Sequence, residues 1–370
     1  MPIHETKRSP KILFGQDAFS QIGDEARRLG ALRVLVVTDN GIVQAGHAER
    51  IAHHLHEADC KSTLFTEVVE NPTTETVDDC VQVARDFGAE LIVGLGGGSS
   101  LDTAKGCNFI LSNGGRMQDY WGYAKASQPM LPLIAVPTTA GTGSEVGRAS
   151  VITNSQTAEK KIIFHPKLLP SVVICDPELT VGMPKFITAG TGMDAFAHCL
   201  EAYCSPHYHP MSQGIALEGM RLVKDYLPQA FTDGNNLEAR AQMMSAAAMG
   251  ATAFQKGLGA IHALSHPLGA MYHTHHGTTN AVVMLPVLRA NRPAIETRIS
   301  AAADYLGIDG GFDGFYDFVA ALITQLDIPP TLTALGVTDP DIDAVVRAAL
   351  TDPSAGGNPV EMTYDNTKSL

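Results

Sequence analysis

Between residue 11 and about residue 180, short apolar runs alternate with stretches of helical period. RVLVVT (33–38) is followed by an amphipathic stretch to Ala58, then STLF (62–65), a helix near Thr74 to Phe87, and ELIVGLGGG from Glu90. LPLIAVPTT (131–139) and SVVICDP (171–177) continue the series. Continuous apolar runs are what strands covered on both faces require, so this rhythm predicts β-α-β units around a largely parallel sheet. After Pro184 the strand rhythm stops. ALEGMRLVKDYL (216–227) and AQMMSAAAMGATAF (241–254) have helical period and are rich in Ala, Met and Leu, which favour helix. The pattern predicts an α/β domain over residues 1–181 and an all-helical domain over 182–370, with VGMP (181–184) as the punctuation between them.

Two small-residue turns sit where strands end. GGGSSLDTAK (96–105) follows a buried-looking strand and opens a helix, so backbone N–H groups and the helix dipole can approach a pyrophosphate. It matches neither GxGxxG nor the P-loop spacing, and on its own it could be a tight connection. PTTAGTGSE (137–145) supplies a second such turn, with hydroxyls suited to phosphate or ribose oxygens. Asp39, just past RVLVVT, stands where a carboxylate can take ribose hydroxyls and repel a 2′-phosphate, which favours NAD over NADP. In the usual dinucleotide fold this acid follows the glycines; here it precedes them, so a differently wired sheet is expected.

Composition narrows the partners. The chain has 370 residues, 26 Lys and Arg against 39 Asp and Glu, and a net charge of −13, a field that repels nucleic-acid phosphates and anionic lipid. The six cysteines show no CxxC pair and suit a reducing cytoplasm. MPIHETKRSP carries charge but no apolar run, and no stretch approaches the roughly 20 apolar residues of a membrane helix, so neither export nor membrane insertion is expected.

The histidines carry the remaining signal. HHLH (53–56) lies in a polar helical pattern and reads as solvated surface. In TAGTGMDAFAHCLEAY, Asp194 and His198 are one helical turn apart and share a face. GLGAIHALSHPLGAMYHTHHG (257–277) adds His262 and His266, again one turn apart on a helix that Pro267 should kink or end, then His273, His275 and His276 in a following loop. One carboxylate with three neutral imidazoles makes a site for Zn²⁺ or Fe²⁺ that leaves room for a substrate oxygen. Which loop histidine joins it stays open on spacing alone.

Taken together, GGGSSLDTAK, PTTAGTGSE, GMDAFAH and HALSHPLGAMYHTHHG resemble, nearly end to end, the iron-containing (group III) alcohol dehydrogenases, related in fold to glycerol dehydrogenase and dehydroquinate synthase. The resemblance implies a dehydroquinate synthase-like dinucleotide domain followed by a helical metal-binding domain, and metal ligands Asp194, His198, His262 and His276. It makes His266 a non-ligand active-site histidine, a proton relay or a neighbour that orients a ligand. It places nucleotide contacts at Asp39, Asn71, Gly97, Gly98, Ser99, Asp102, Thr138, Thr139, Thr142 and Lys161, with NAD as cofactor, and implies a homodimer.

The expected reaction is NAD-dependent hydride transfer between a small primary alcohol, or a hydroxy acid, and its aldehyde. Arg148 and Lys256 are two cations that could recognise an anionic substrate end, or could be surface and nucleotide-contacting side chains. Competing readings are a maleylacetate reductase-like carbonyl reductase and a metal-dependent lyase or hydrolase using the same ligands to activate water.

Overall fold

Six of the apolar runs pair into one parallel sheet. In the computed structural model, which describes residues 10–157 and 159–370, strands β1 (Lys11–Phe14), β2 (Arg33–Val37), β3 (Lys61–Phe65), β4 (Leu91–Gly96), β6 (Leu133–Pro137) and β9 (Val172–Cys175) lie in the order β1-β9-β6-β4-β2-β3. Every pairing between them is parallel. β4 and β6 bury every residue, whereas β3 at the edge keeps Lys61 and Leu64 exposed, which is why STLF reads as more polar than ELIVGLG. A second sheet, absent from the sequence expectation, joins β5 (Gly122–Tyr123) to an antiparallel hairpin of β7 (Ala149–Asn154) and β8 (Glu159–Phe164). Its strands mix charged and polar residues with apolar ones and are only partly buried, so no continuous run marks them.

Alternate residues of each central strand face opposite ways. Leu35, Val37 and Ile92 pack with α4 (Thr74–Phe87) and α5 (Gly98–Asn113); Val34, Val36, Leu91 and Val93 pack with α1 (Ile22–Arg28) and α3 (His47–Glu57). After β2 the chain moves outward to β3, and after β4 it moves the other way to β6 and β9. The crevice at the carboxyl ends of β2 and β4 is therefore the switch point where open parallel sheets bind ligands, and Asp39 and the Gly96–Ser100 turn sit there. Asp39 lies on the strand beside the glycine turn, although its order along the chain is reversed relative to the usual dinucleotide fold.

The described residues divide into two compact units. One takes in the sheets, up to Thr139 and again over Ser144–Gly182; the other comprises Ala140–Gly143 and Met183–Leu370. The expected domain boundary did not separate residues 140–143 from the sheet domain. They join the helices because Gly141 abuts Thr191, where a Cβ would lie 2.6 Å from the Thr191 Cβ, and Gly143, at φ +60°, abuts Ala251.

Among the described residues the regular elements of the second unit are all helices: α6 (Lys185–Cys204), α7 (Pro210–Thr232), α8 (Leu237–Ala253), α9 (Ala260–Tyr272), α10 (His276–Leu306), α11 (Gly311–Gln325), α12 (Ile342–Thr351) and α13 (Tyr364–Lys368), with short 3₁₀ turns between them. α6 is buried along nearly its whole length after its first turn. All six cysteines are buried free thiols. No described helix is long and apolar enough to cross a membrane.

Candidate functional site

α6 brings Asp194 and His198 to one face, both almost fully buried. Asp194 Oδ1 is the hub: it lies 3.7 Å from His198 Nε2, 3.6 Å from His262 Nε2 and 3.5 Å from His276 Nε2. Metal–nitrogen bonds of about 2.1 Å in tetrahedral geometry put ligand atoms roughly 3.4 Å apart, so these separations match a divalent ion's donor set. Asp194, His262 and His276 make the tightest group. His198 joins through Asp194 and by stacking on His262, with ring centroids 4.6 Å apart and planes 19° from parallel.

Close helix packing aims these groups. α6 and α10 meet at Gly190 and Gly277, where neither position has room for a side chain. His275 caps α10, its Nδ1 accepting from Thr278 N–H while its ring lies against Gly190. His276 is thereby the first residue of α10, not part of a loop, and points into the cluster. His273, at φ +55°, closes the end of α9 and is exposed. Pro267 neither ends nor interrupts α9, which runs on to Tyr272. His266 is turned to Asp352, Nδ1 to Oδ2 2.8 Å, and its ring stacks on His276 at 5.4 Å.

A surrounding layer of polar groups was not read from the sequence. His262 Nδ1 donates to Glu201 Oε2 at 2.6 Å, and the amide of Asn280 donates to Asp194 Oδ1 at 2.8 Å. Ser265 Oγ lies 3.3 Å from His276 Nδ1. Glu201 stands seven residues after Asp194 and three after His198, and Asn280 four after His276, so the same helical stripe that marks the ligands marks both. Burial pushes the Asp194 carboxyl up, but His198, His276 and His262 more than offset this and hold it well below the usual range. Burial lowers His198 to about 4. Burial also disfavours charge on His262, but Glu201 and Asp194 together raise it to about 10. A buried carboxylate ringed by imidazole nitrogens is a donor set that a divalent cation completes, and the residues fit such an ion.

In the sheet unit, Asp39 caps α2 (Asn40–Gln44), its Oδ1 accepting from Gly41 and Ile42 N–H, while Oδ2 accepts from Ser100 Oγ at 3.3 Å. Gly96, at φ +145°, cannot carry a Cβ, which would sit 2.5 Å from Ser100 Oγ. Gly97 precedes Gly98 and Ser99 at the start of α5, and no side chain caps this helix start. That leaves an N-terminus of the kind that receives a phosphate. Thr138 N–H donates to Gly96 O, and the Thr139 methyl would meet a Cβ on Gly97 at 3.2 Å. Asn71 adopts φ +55°, its carbonyl accepting from Thr153 Oγ1 at 3.4 Å. Lys161 pairs with Glu159 at 2.9 Å, and Thr142 belongs to the helical unit.

Two sequence expectations change here. Asp102 is buried and both its oxygens are engaged, with Ser144 Oγ at 2.7 Å and Val151 N–H at 3.0 Å, so it braces the second turn against α5 and is not presented to a nucleotide. Lys105 beside it donates to the Ser144, Gly147 and Ala149 carbonyls, and burial lowers it to about 8; burial raises nearby Glu145 to about 7. Lys256 is 3% exposed and donates to the carbonyls of Ala202, Tyr203 and Ser205, so it closes the end of α6 and has no face for a substrate. Arg148 keeps a buried Nη1 without a hydrogen-bond partner among the described residues. His53 and His56 are exposed and His54 is half-buried; His53 and His54 lie beside Glu57, as a solvated helix face requires.

Residues 9–177 match the family described as iron-containing alcohol dehydrogenase, and residues 188–370 match its C-terminal domain. A 4-hydroxybutyrate dehydrogenase from Cupriavidus necator is 40% identical over 358 residues, covering 93% of this chain and 92% of that protein. The crystal structure of a 1,3-propanediol oxidoreductase superposes with a TM-score of 0.96 at 34% identity, covering 100% of this chain and 98% of the other. A sulfoacetaldehyde reductase from Bifidobacterium kashiwanohense, crystallised with NAD⁺, superposes with a TM-score of 0.91 at 32% identity, again covering 100% and 98%.

Proposed function

The chain belongs to the iron-containing alcohol dehydrogenase family and is an oxidoreductase acting on alcohols; from that premise we propose that it is an NAD-dependent, Fe²⁺-type enzyme for short primary alcohols, with hydroxy acids the first class to test. The observation that carries the metal reading is the convergence of three imidazole Nε2 atoms on Asp194 Oδ1. Asp194, His198, His262 and His276 would hold the ion, Fe²⁺ or Zn²⁺, and a Lewis acid there lowers the pKa of an alcohol hydroxyl. NAD supplies the hydride acceptor, with Asp39, Gly97, Gly98, Ser99, Thr138, Thr139, Thr142, Asn71 and Lys161 as the proposed contacts. Asp39 at the switch point, with Oδ2 beside Ser100, supports NAD over NADP. His266, oriented by Asp352, receives or returns the hydroxyl proton.

Two relatives act, by name, on molecules ending in a carboxylate or sulfonate, which supports an anionic substrate end. Of the two cations considered, Arg148 retains a role in that reading. Six free, buried thiols suit a reducing cytoplasm, and a homodimer is the proposed assembly. The test is a substrate screen on metal-analysed protein. Reduction of NAD⁺ by primary alcohols or ω-hydroxy acids, dependent on a stoichiometric divalent metal, is expected. Full turnover after complete metal removal would overturn the reading.

A further inference from the structure

Glu201 is 6% exposed, and each of its oxygens is committed to one donor. Oε1 accepts the main-chain N–H of Ile261 at 2.7 Å, and Oε2 accepts from His262 Nδ1 at 2.6 Å. The first contact caps α9, whose N-cap residue Gly259 has no side chain to do so. Asn358 performs the adjoining task, its Oδ1 accepting from Ala260 N–H at 3.1 Å. The second contact belongs to Glu201 alone. A carboxylate in this position can only accept, so the ring proton of a neutral His262 must reside on Nδ1.

We propose that Glu201 is a positioning residue that locks His262 in the Nδ1–H tautomer and so keeps Nε2, the atom 3.6 Å from Asp194 Oδ1, as a bare lone pair aimed at the metal site. The inference rests on the metal reading of the Asp194 cluster. It does not follow from helix capping, because Asn358 caps the same helix start without touching the imidazole.

Substitution with glutamine exposes the difference. Ile261 N–H and His262 Nδ1–H are two donors, and a glutamine side chain offers one acceptor oxygen. If that oxygen stays on Ile261, its NH₂ faces Nδ1, which must then accept, and the proton moves to Nε2, where it blocks ligation. The experiment uses full-length, metal-free protein titrated with Co²⁺ alone, followed by the cobalt ligand-field spectrum, together with ¹⁵N shifts of the His262 ring read above about pH 10, where the ring is neutral. Glu201→Gln is expected to weaken Co²⁺ binding about 10- to 100-fold and to move the ring proton from Nδ1 to Nε2. Asn358→Ala should leave the tautomer at Nδ1 and the affinity within a factor of about three.

Equal cobalt affinity in wild type and Glu201→Gln overturns the inference while leaving the metal reading standing. So does equal weakening by Glu201→Gln and Asn358→Ala. An Nε2–H tautomer in the wild-type, metal-free protein overturns it without need of any variant. Wild-type protein that binds no cobalt overturns the metal reading, and this inference with it.

Discussion

The main chains of Gly190 and Gly277 touch: a methyl group on Gly277 would lie 2.0 Å from the Gly190 carbonyl oxygen. This contact sets the crossing of α6, which carries Asp194 and His198, over α10, which carries His276. Gly277→Ala should therefore force the helices apart, costing about 1–3 kcal/mol as an overpacked core position does. Bound metal per chain should fall sharply even where the protein remains folded. Urea unfolding and metal analysis check both; full metal retention at wild-type stability would refute the account.

Asp194 is the hub to which each imidazole is near, so Asp194→Ala should remove metal retention and lower kcat/KM by at least about 10³-fold, the several kcal/mol a Lewis acid supplies. Cofactor binding, measured by fluorescence of added NADH, should persist within a few-fold, because the nucleotide residues of the sheet unit form a separate compact body.

Asp39 does two things at once, capping α2 and standing at the switch point. Asp39→Gly should relax discrimination against NADP and, at a capping position, cost only a few tenths of a kcal/mol. Asp39→Asn retains an acceptor for the cap while removing the charge, and should shift the NAD to NADP ratio of kcat/KM in the same direction. An unchanged ratio in both variants would show that this carboxylate does not read the ribose.

Glu145 gives the fold a pH dependence with a definite sign. Burial raises its folded value to about 7 from an ordinary 4.5, so the neutral form is favoured in the native state. Its stabilising contribution is complete below pH 4.5 and is lost as pH rises through 7, up to about 3 kcal/mol. Buried Lys105, lowered to about 8 from 10.5, acts in a higher window: its penalty is complete below pH 8 and is relieved as pH rises through 10.5. Glu145→Gln should flatten the stability profile between pH 4.5 and 7, as followed by denaturant unfolding at intervals of pH.

Lys256 and Arg148 should now part company. Lys256→Met removes three bonds to the end of α6 and should lower the unfolding midpoint, leaving the preference between butanol and 4-hydroxybutyrate unchanged. If an anionic end is recognised through Arg148, Arg148→Ala should lower that preference about tenfold, roughly the worth of one charge-assisted hydrogen bond. Steady-state kinetics on the two substrates decides it.

What was legible in the sequence was local. Asp194 with His198 and the glycine turns announce themselves because a helical turn or a strand end places neighbours in the chain side by side in space. His266 shares a helix stripe with His262, but the group that orients it, Asp352, lies 86 residues away and could not be read from spacing. Lys256 misled for a related reason: a lysine beside glycines looks available until the end of α6 is seen to arrive beneath it. Glu201 and Asn280 were within reach, each on the ligand stripe of its helix, but a glutamate or asparagine there gains meaning only once the opposing helix is in place. The β7–β8 hairpin was missed because partly exposed strands need no apolar run.

The six sequestered thiols have a practical side. With every native sulfhydryl sealed in the interior, a single cysteine introduced on the surface can be coupled to a maleimide fluorophore without stripping out the others. Pairs of such labels, one on each compact unit, would let resonance energy transfer report in solution whether the two move during turnover.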